Sequence, residues 1–309
     1  MTQETHVGRL PVLRTAPGHL VRCAQQAHTH LWQRHVLVGL TSVQYGILLV
    51  LGQRGKIDQK TIGRLMSLDK STTADVVSRL TRRGLVTRQR DPRDGRRRPV
   101  CLSARGRLAL TQATPAVVQV QRRLLDPLGE NDREDLFTLL SRVAYQGDPP
   151  RDDDPDAPAG EVDAELPQER LHRHPGHLIR RAAQLHTTLW SGAVSRSITS
   201  VQYSVLLALH DAPRLDQRMV GSRVSLDKST GGDVVARLQE RGWVERTRDT
   251  DDARRNLLGL TDEGRDFLFG RAEAVIGVQD ELLAPLSVEE RRRFEVLMLR
   301  VTRAHEEGD

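Results

Sequence analysis

Residues 67–102 read SLDKSTTADVVSRLTRRGLVTRQRDPRDGRRRPVCL, and residues 225–260 read SLDKSTGGDVVARLQERGWVERTRDTDDARRNLLGL. Each stretch predicts one helix followed by a two-stranded basic hairpin. Asp69 fits an N-cap, because its short acceptor side chain can satisfy free amides of a first helical turn. Val76, Val77 and Leu80 then form one apolar stripe, with Arg79, Arg82 and Arg83 on other faces. Gly84 is placed to stop the helix. LVTRQR alternates like a strand, DPRDG is a turn signal, and VCL is a short return strand. A helix followed by an arginine-loaded hairpin suits DNA, with the helix in the major groove and the hairpin at the minor groove.

Working outward, the whole chain is a tandem repeat. Thr41-Ser42-Val43-Gln44-Tyr45 recurs as Thr199-Ser200-Val201-Gln202-Tyr203, an offset of 199 − 41 = 158. The same offset carries Pro17-Gly18-His19-Leu20 to Pro175-Gly176-His177-Leu178, Trp32 to Trp190 and Gly106 to Gly264, with no insertion between Pro17 and Val143. A period this long is a duplicated domain rather than a solenoid. The expected organisation is an extension over 1–16, a first repeat over 17–145, a linker over 146–170, a second repeat over 171–305 and a tail over 306–309. The linker is rich in Pro and acid, and about 25 flexible residues reach roughly 25–30 Å.

The first repeat predicts a run of helices. An amphipathic one covers 17–37 with Leu20, Ala24, Ala27, Leu31 and Val38 near heptad spacing. Thr41 and Gln44 form a capping box for a second helix, to about Leu51. Asp58 caps a third containing Ile62, Leu65 and Met66, and Ser67–Asp69 is the turn of a helix-turn-helix. After the hairpin, Ser103 opens a long helix over about 104–125 that Pro127 ends. Asn131 with Glu134 is expected to cap the last helix.

Composition narrows the function classes. The 309 residues carry a formal charge of +6, which favours an anionic partner. Only Lys56, Lys60, Lys70 and Lys228 are lysines among 47 basic residues, a bias that chemistry or a GC-rich genome would produce equally. No stretch approaches the roughly 18 apolar residues of a membrane span, and the N-terminus has no apolar signal region. Two cysteines, Cys23 and Cys101, fit a cytoplasmic setting and exclude a disulfide framework or a cysteine-based zinc site. No phosphate loop, nucleophile elbow or HExxH helix points to an enzyme, and neither a metal nor a cofactor is implied.

Each repeat resembles a complete subunit of the MarR (multiple antibiotic resistance regulator) family of winged helix-turn-helix transcription factors. The residues that carry this are Asp69-Lys70-Ser71-Thr72, Val76-Val77, Arg79-Leu80, Gly84-Leu85-Val86, Arg90, the Asp94-x-Arg96 pair and Leu102-x-x-x-Gly106. The second repeat matches with Asp227-Lys228-Ser229-Thr230, Val234-Val235, Arg237-Leu238, Gly242, Arg248, Asp252-x-Arg254 and Leu260-Thr261-x-x-Gly264. The resemblance implies a mainly α fold with small β-wings: two winged domains and interlaced dimerisation helices, forming a pseudo-dimer within one chain. A chain of this kind can act as a monomer, since fusion supplies an effective concentration of roughly mM.

The implied partner is double-stranded DNA. Ser71, Thr72 and Thr73, with Ser229 and Thr230, sit where the recognition helix enters the groove. Lys70 and Lys228 suit phosphate or plain solvation. Arg79 and Arg237 suit phosphate or i,i+4 pairs with Asp75 and Asp233. Arg90, Arg96, Arg97, Arg248 and Arg254 belong to the wings, with Asp94 and Asp252 positioning the tip arginines. The two copies differ in charge. Arg79–Arg107 holds eleven arginines and two acids, whereas Arg237–Arg265 holds seven of each, so the first winged domain should carry the larger electrostatic share.

The first helix of each repeat resembles that of MarR members responding to small aromatic carboxylates. The resemblance marks His19, Arg22, His28 and Trp32, with His177, Arg180, His186 and Trp190, as effector contacts, Arg or His pairing with the carboxylate and Trp covering the ring. The same Trp and His also suit an apolar core. Redox sensing through Cys23 and a ligand-independent architectural role are the alternatives, and residue 181 is Arg where Cys23 would recur.

Overall fold

Short polar side chains set where the helices begin. In the computed structural model, which describes residues 10–89, 98–147, 166–167, 169–249 and 256–306, Thr41 caps α2 (Ser42–Arg54). The Thr41 side chain accepts from the Gln44 amide, and the Gln44 side chain returns to the Thr41 amide. Asp58 caps α3 (Gln59–Met66), accepting from the Thr61 amide at 2.8 Å, and Asp69 caps α4 (Lys70–Arg82) through Thr72. Between them Ser67 adopts φ 50°, the left-handed turn that lets α4 cross α3. Gly84, at φ 68°, follows α4 and turns the chain into the wing.

The wing pairs β1 (Val86–Arg88) with β2 (Val100–Leu102), antiparallel, Thr87 opposite Cys101. Ile57 adds one bridge to Val100. Ser103 then caps α5 (Ala104–Leu124), which runs unbroken through Pro115. α6 (Glu130–Tyr145) completes the repeat, and α1 (Pro17–His35) opens it. Two expectations need correction. Val38 lies beyond α1 and is 39% exposed, because the chain turns away at Val36. α6 begins one residue before Asn131, with Gly129 at the cap and no side-chain bond there, so Asn131 is already within the first turn.

The second repeat has α7 (Pro175–Ala193), α8 (Ser200–Asp211), β3 (Leu215–Asp216), α9 (Gln217–Arg223), α10 (Lys228–Glu240), β4 (Val244–Arg248) and β5 (Asn256–Leu260). Its wing is three-stranded, in the order β3-β5-β4. The long helix is divided into α11 (Asp262–Gly270) and α12 (Ala272–Leu282), where Gly270 weakens a helix that Gln112 continues in the first copy. α13 (Val288–Glu306) closes the chain, and Ser287 and Glu290 exchange the capping bonds that Gly129 cannot make.

Contacts divide the chain into two units, and the division falls inside α1 and α7. One unit joins the residues up to Cys23 with those from Ala182 onward; the other is Ala24–Arg181. Each core therefore takes in residues from outside its own repeat. Leu166 and Leu171 pack with Trp32, Tyr45, Ile47 and Val117 in the second of these units. Leu13 packs with Trp190, Tyr203, Val205 and Val275 in the first. Among the described residues no helix is long and apolar enough to cross a membrane.

Candidate functional site

The exposed start of each recognition helix is built by its cap. The Asp69 carboxylate accepts from the hydroxyls of Ser71 and Thr72 and from the Thr72 amide. Those bonds hold its pKa well below the usual carboxylate range. Asp227 accepts from the Ser229 and Thr230 amides and from the Thr230 hydroxyl, and its pKa is likewise lowered. Lys70, Ser71, Thr72, Lys228, Ser229 and Thr230 are all exposed along this edge, and Arg237 is exposed in the last turn of α10. Thr73 does not join them. It is 1% exposed, its hydroxyl donates to the Asp69 carbonyl at 2.7 Å, and it packs on Gly63 of α3. Its position is N4, one turn in and on the face that closes the helix-turn-helix.

Arg79 pairs with Asp75 at 2.8 Å, both half exposed, so the i,i+4 pair anticipated as one reading is present. Arg248 is exposed at the end of β4. Arg90, Asp94, Arg96, Arg97, Asp252 and Arg254 lie outside the described residues. Sequence reasoning missed Arg83 and Arg241, which brace the recognition helices by donating to the carbonyls of Gly39 (2.8 Å) and Ser197 (2.6 Å). Their recurrence at the repeat offset was the available signal.

The effector candidates are sorted across the repeats. In the Ala24–Arg181 unit, His28 and Trp32 of α1 meet His177 and Arg180 of α7 around one crevice, which Tyr45, Met66, Gln121 and His174 also line. In the other unit His19 and Arg22 of α1 lie with α7 of the second repeat, where Gly18 abuts the His186 ring and Trp190 packs on His186. Close approach is what the glycine in Pro-Gly-His-Leu allows. A Cβ on Gly176 would lie 2.2 Å from His28 Nε2, and one on Gly18 would lie 2.2 Å from His186 Nε2. Gln121 ties the layers, accepting from the Gly176 amide at 2.9 Å and reaching His28 Nε2 at 3.3 Å. Gln279 repeats both contacts with Gly18 and His186. The glutamines were missed, although they too recur at the offset.

The arginines connect this layer to the reading head. Arg180 donates to the Met66 carbonyl, at the end of α3, and lies 3.2 Å from His177 Nδ1. Arg22 donates to the carbonyls of Val224 and Ser225, just past α9, and lies 3.1 Å from His19 Nδ1. Each guanidinium thus finishes the helix that immediately precedes a recognition helix. Burial, with the arginine charge adding to it, lowers the His19 pKa to about 3 and the His177 pKa well below its ordinary value. Burial also lowers His28 and His186 to about 4 and Arg180 to about 10. The imidazoles are therefore neutral at pH 7. His28 Nδ1 and His177 Nε2 are buried and find no hydrogen-bond partner among the described residues.

Trp32 and Trp190 are core residues as well as walls. Their indole N–H groups donate to Leu40 (2.6 Å) and Ile198 (2.8 Å), and their rings meet Tyr45 and Tyr203 edge-on. The crevice around His28 holds only about 20 Å³, room for about one water.

Two capped helix-turn-helix units, each followed by a β-wing, define a winged helix-turn-helix DNA-binding regulator. The sequence model of the MarR family matches residues 38–97 and 196–255. The transcriptional regulator HosA of Escherichia coli O111:H- is 36% identical over 130 residues, 42% of this chain and 95% of HosA. The transcriptional repressor NicR of Pseudomonas putida is 31% identical over 127 residues, 41% of this chain and 80% of NicR. The structure of the PcaV regulator of Streptomyces coelicolor in complex with its natural ligand is 46% identical, covering 45% of this chain and 99% of that one at a TM-score of 0.43. The chain belongs to the MarR family and carries its domain twice.

Proposed function

We propose that the chain is a ligand-responsive repressor. It grips a pseudo-palindromic operator with both winged domains, as one polypeptide, and a small aromatic carboxylate releases it. The carrying observation is the bond from Arg180 to the Met66 carbonyl, repeated from Arg22 to Val224 and Ser225. A carboxylate entering the crevice competes for that guanidinium, since a charge-assisted bidentate pair is stronger than a bond to a neutral carbonyl. The helix before the recognition helix then loses its tie. The orphaned His28 Nδ1 and His177 Nε2 supply partners for a second polar group on the ligand, and Trp32 and Tyr45 supply its aromatic wall. An aryl acid does not fit 20 Å³, so binding requires the crevice to open. A ligand shifts an equilibrium only by its preference for one state, and here that preference is for the opened one. NicR, a relative named as a repressor, supports that mode of regulation.

Within this reading Lys70, Ser71, Thr72, Lys228, Ser229 and Thr230 face DNA at the helix starts. Arg90, Arg96, Arg97, Arg248 and Arg254 serve the wings. The unequal wing charges give unequal half-sites. The test is binding to the chain's own upstream intergenic DNA at fixed salt, titrated with substituted benzoates. Release by one of them is expected, and Arg22→Ala/Arg180→Ala, which removes the same ties, should bind the operator weakly whether or not the carboxylate is present. Specific binding that no carboxylate relieves would overturn the effector reading and favour an architectural role; release by oxidant, blocked in Cys23→Ser, would favour redox control.

A further inference from the structure

The two repeats differ sharply at one position beside the crevice. In the Ala24–Arg181 unit, Arg181 lays its guanidinium over the Tyr145 ring, 4.1 Å from the centroid, and its Nε donates to the Ala144 carbonyl at 2.9 Å. One offset away, Cys23 stands for Arg181 and Arg303 for Tyr145. In the other unit the short Cys23 takes the place of the Arg181 stem, and the exposed Arg303 takes the place of the Tyr145 ring. A cleft of about 380 Å³ lies there, with Leu13, His19, Leu20 and Cys23 buried at its floor, and it adjoins the Arg22 layer at His19. Arg14, Arg223 and Arg303 form an exposed rim, and Asp211 is the acid that lines it.

We propose that this cleft is a second binding site, present once per chain, for a small organic anion with an apolar body. Its volume falls within the roughly 300–1,000 Å³ of small-molecule pockets. Three arginines against one carboxylate select an anion, and guanidinium forks suit a carboxylate or sulfonate. The leucine floor selects an apolar body of about bicyclic size. The site is also placed to matter. Ser222 and Arg223 in its wall end α9, and Arg22, next to Cys23, holds the carbonyls of Val224 and Ser225 just beyond. An occupant here bears on the helix that precedes one recognition helix; beside the other, Arg181 and Tyr145 take the matching positions. The chain would thus take two inputs, one through paired crevices and one through a single-copy cleft.

The probe is 8-anilinonaphthalene-1-sulfonate, titrated by fluorescence into the full chain. One saturable site per chain is expected. Cys23→Arg/Arg303→Tyr, which installs the pair that fills the sibling, should weaken it roughly tenfold or more. Arg14→Gln/Arg223→Gln should weaken it several-fold with the thermal melt unchanged, and it decides the matter if the filling variant does not fold. Arg180→Ala should leave probe binding intact. Absence of a saturable site, undiminished binding in both cleft variants, or loss in Arg180→Ala would overturn the proposal. Release of DNA by benzoates is read separately, so failure of either reading leaves the other standing.

Discussion

Gly176 and His28 show how much one hydrogen can decide. The His28 ring lies where a Cβ of residue 176 would be, and the Gln121 side chain bonds to both residues. Gly176→Ala should cost about 1–3 kcal/mol, the usual range for overpacking a tight interior. Thermal unfolding reads this directly. Adding His28→Ala removes the clash, so the double variant should be more stable than the sum of the singles predicts. Additive losses would show that the two residues do not share the site. The same rings make stability pH-dependent. The folded pKa of His28 and of His186 is about 4, below the unfolded value near 6.5, so the unfolded chain binds more protons in between. Stability is therefore full above pH 6.5 and falls as pH drops from about 6.5 towards 4. The unfolding midpoint should decline over that window, and less steeply in His28→Gln/His186→Gln. These histidines were legible as repeated residues on a helix. Their pairing was not, because His28 answers Gly176 of the other copy, and a sequence shows periodicity within a segment but not which distant segment lies against it.

At the scale of elements, capping chemistry was the most legible feature, since Thr41, Asp58, Asp69 and Ser103 act on amides only a few residues away. Thr73 was misread because the helix start predicts exposure only for its first turn, and one residue further the helix turns inward onto α3. Its counterpart, Gly231, is buried in the same place, and Gly232 follows it. Added Cβ atoms there meet nothing closer than 3.8 Å at Gly231 and the flexible end of Gln217, at 3.1 Å, at Gly232. Both glycines have ordinary helical backbones within α10. Gly231→Ala and Gly232→Ala should therefore each stabilise the chain by up to about 1 kcal/mol, less any cost of moving Gln217. Calorimetry of the double variant checks this. A fall in the unfolding temperature would mean that the helix needs its glycines for packing.

For the whole molecule, tandem duplication was plain from the constant offset, but the sharing of helices between units was implied only by family resemblance. The contacts supply the physical reason to expect consequences. Leu13 completes a core made of second-repeat residues, and Leu171 completes one made of first-repeat residues. Neither repeat alone buries its own crevice layer, because His28 needs Gly176 and His186 needs Gly18. Cutting the chain within the linker should then leave the halves associated. A protease site inserted between Ala157 and Pro158 provides the cut. Size-exclusion chromatography of the nicked protein at micromolar concentration should give one species of unchanged size. Refolding after denaturation should differ more. The intact chain refolds with a rate independent of concentration, since the linker holds the partners at roughly mM effective concentration. The nicked chain must first find its other half, so recovery of operator binding should slow in proportion to dilution and its unfolding midpoint should fall with concentration. Halves that separate on the column, each retaining a folded winged domain and native melting, would mean that the shared helices add little to either unit.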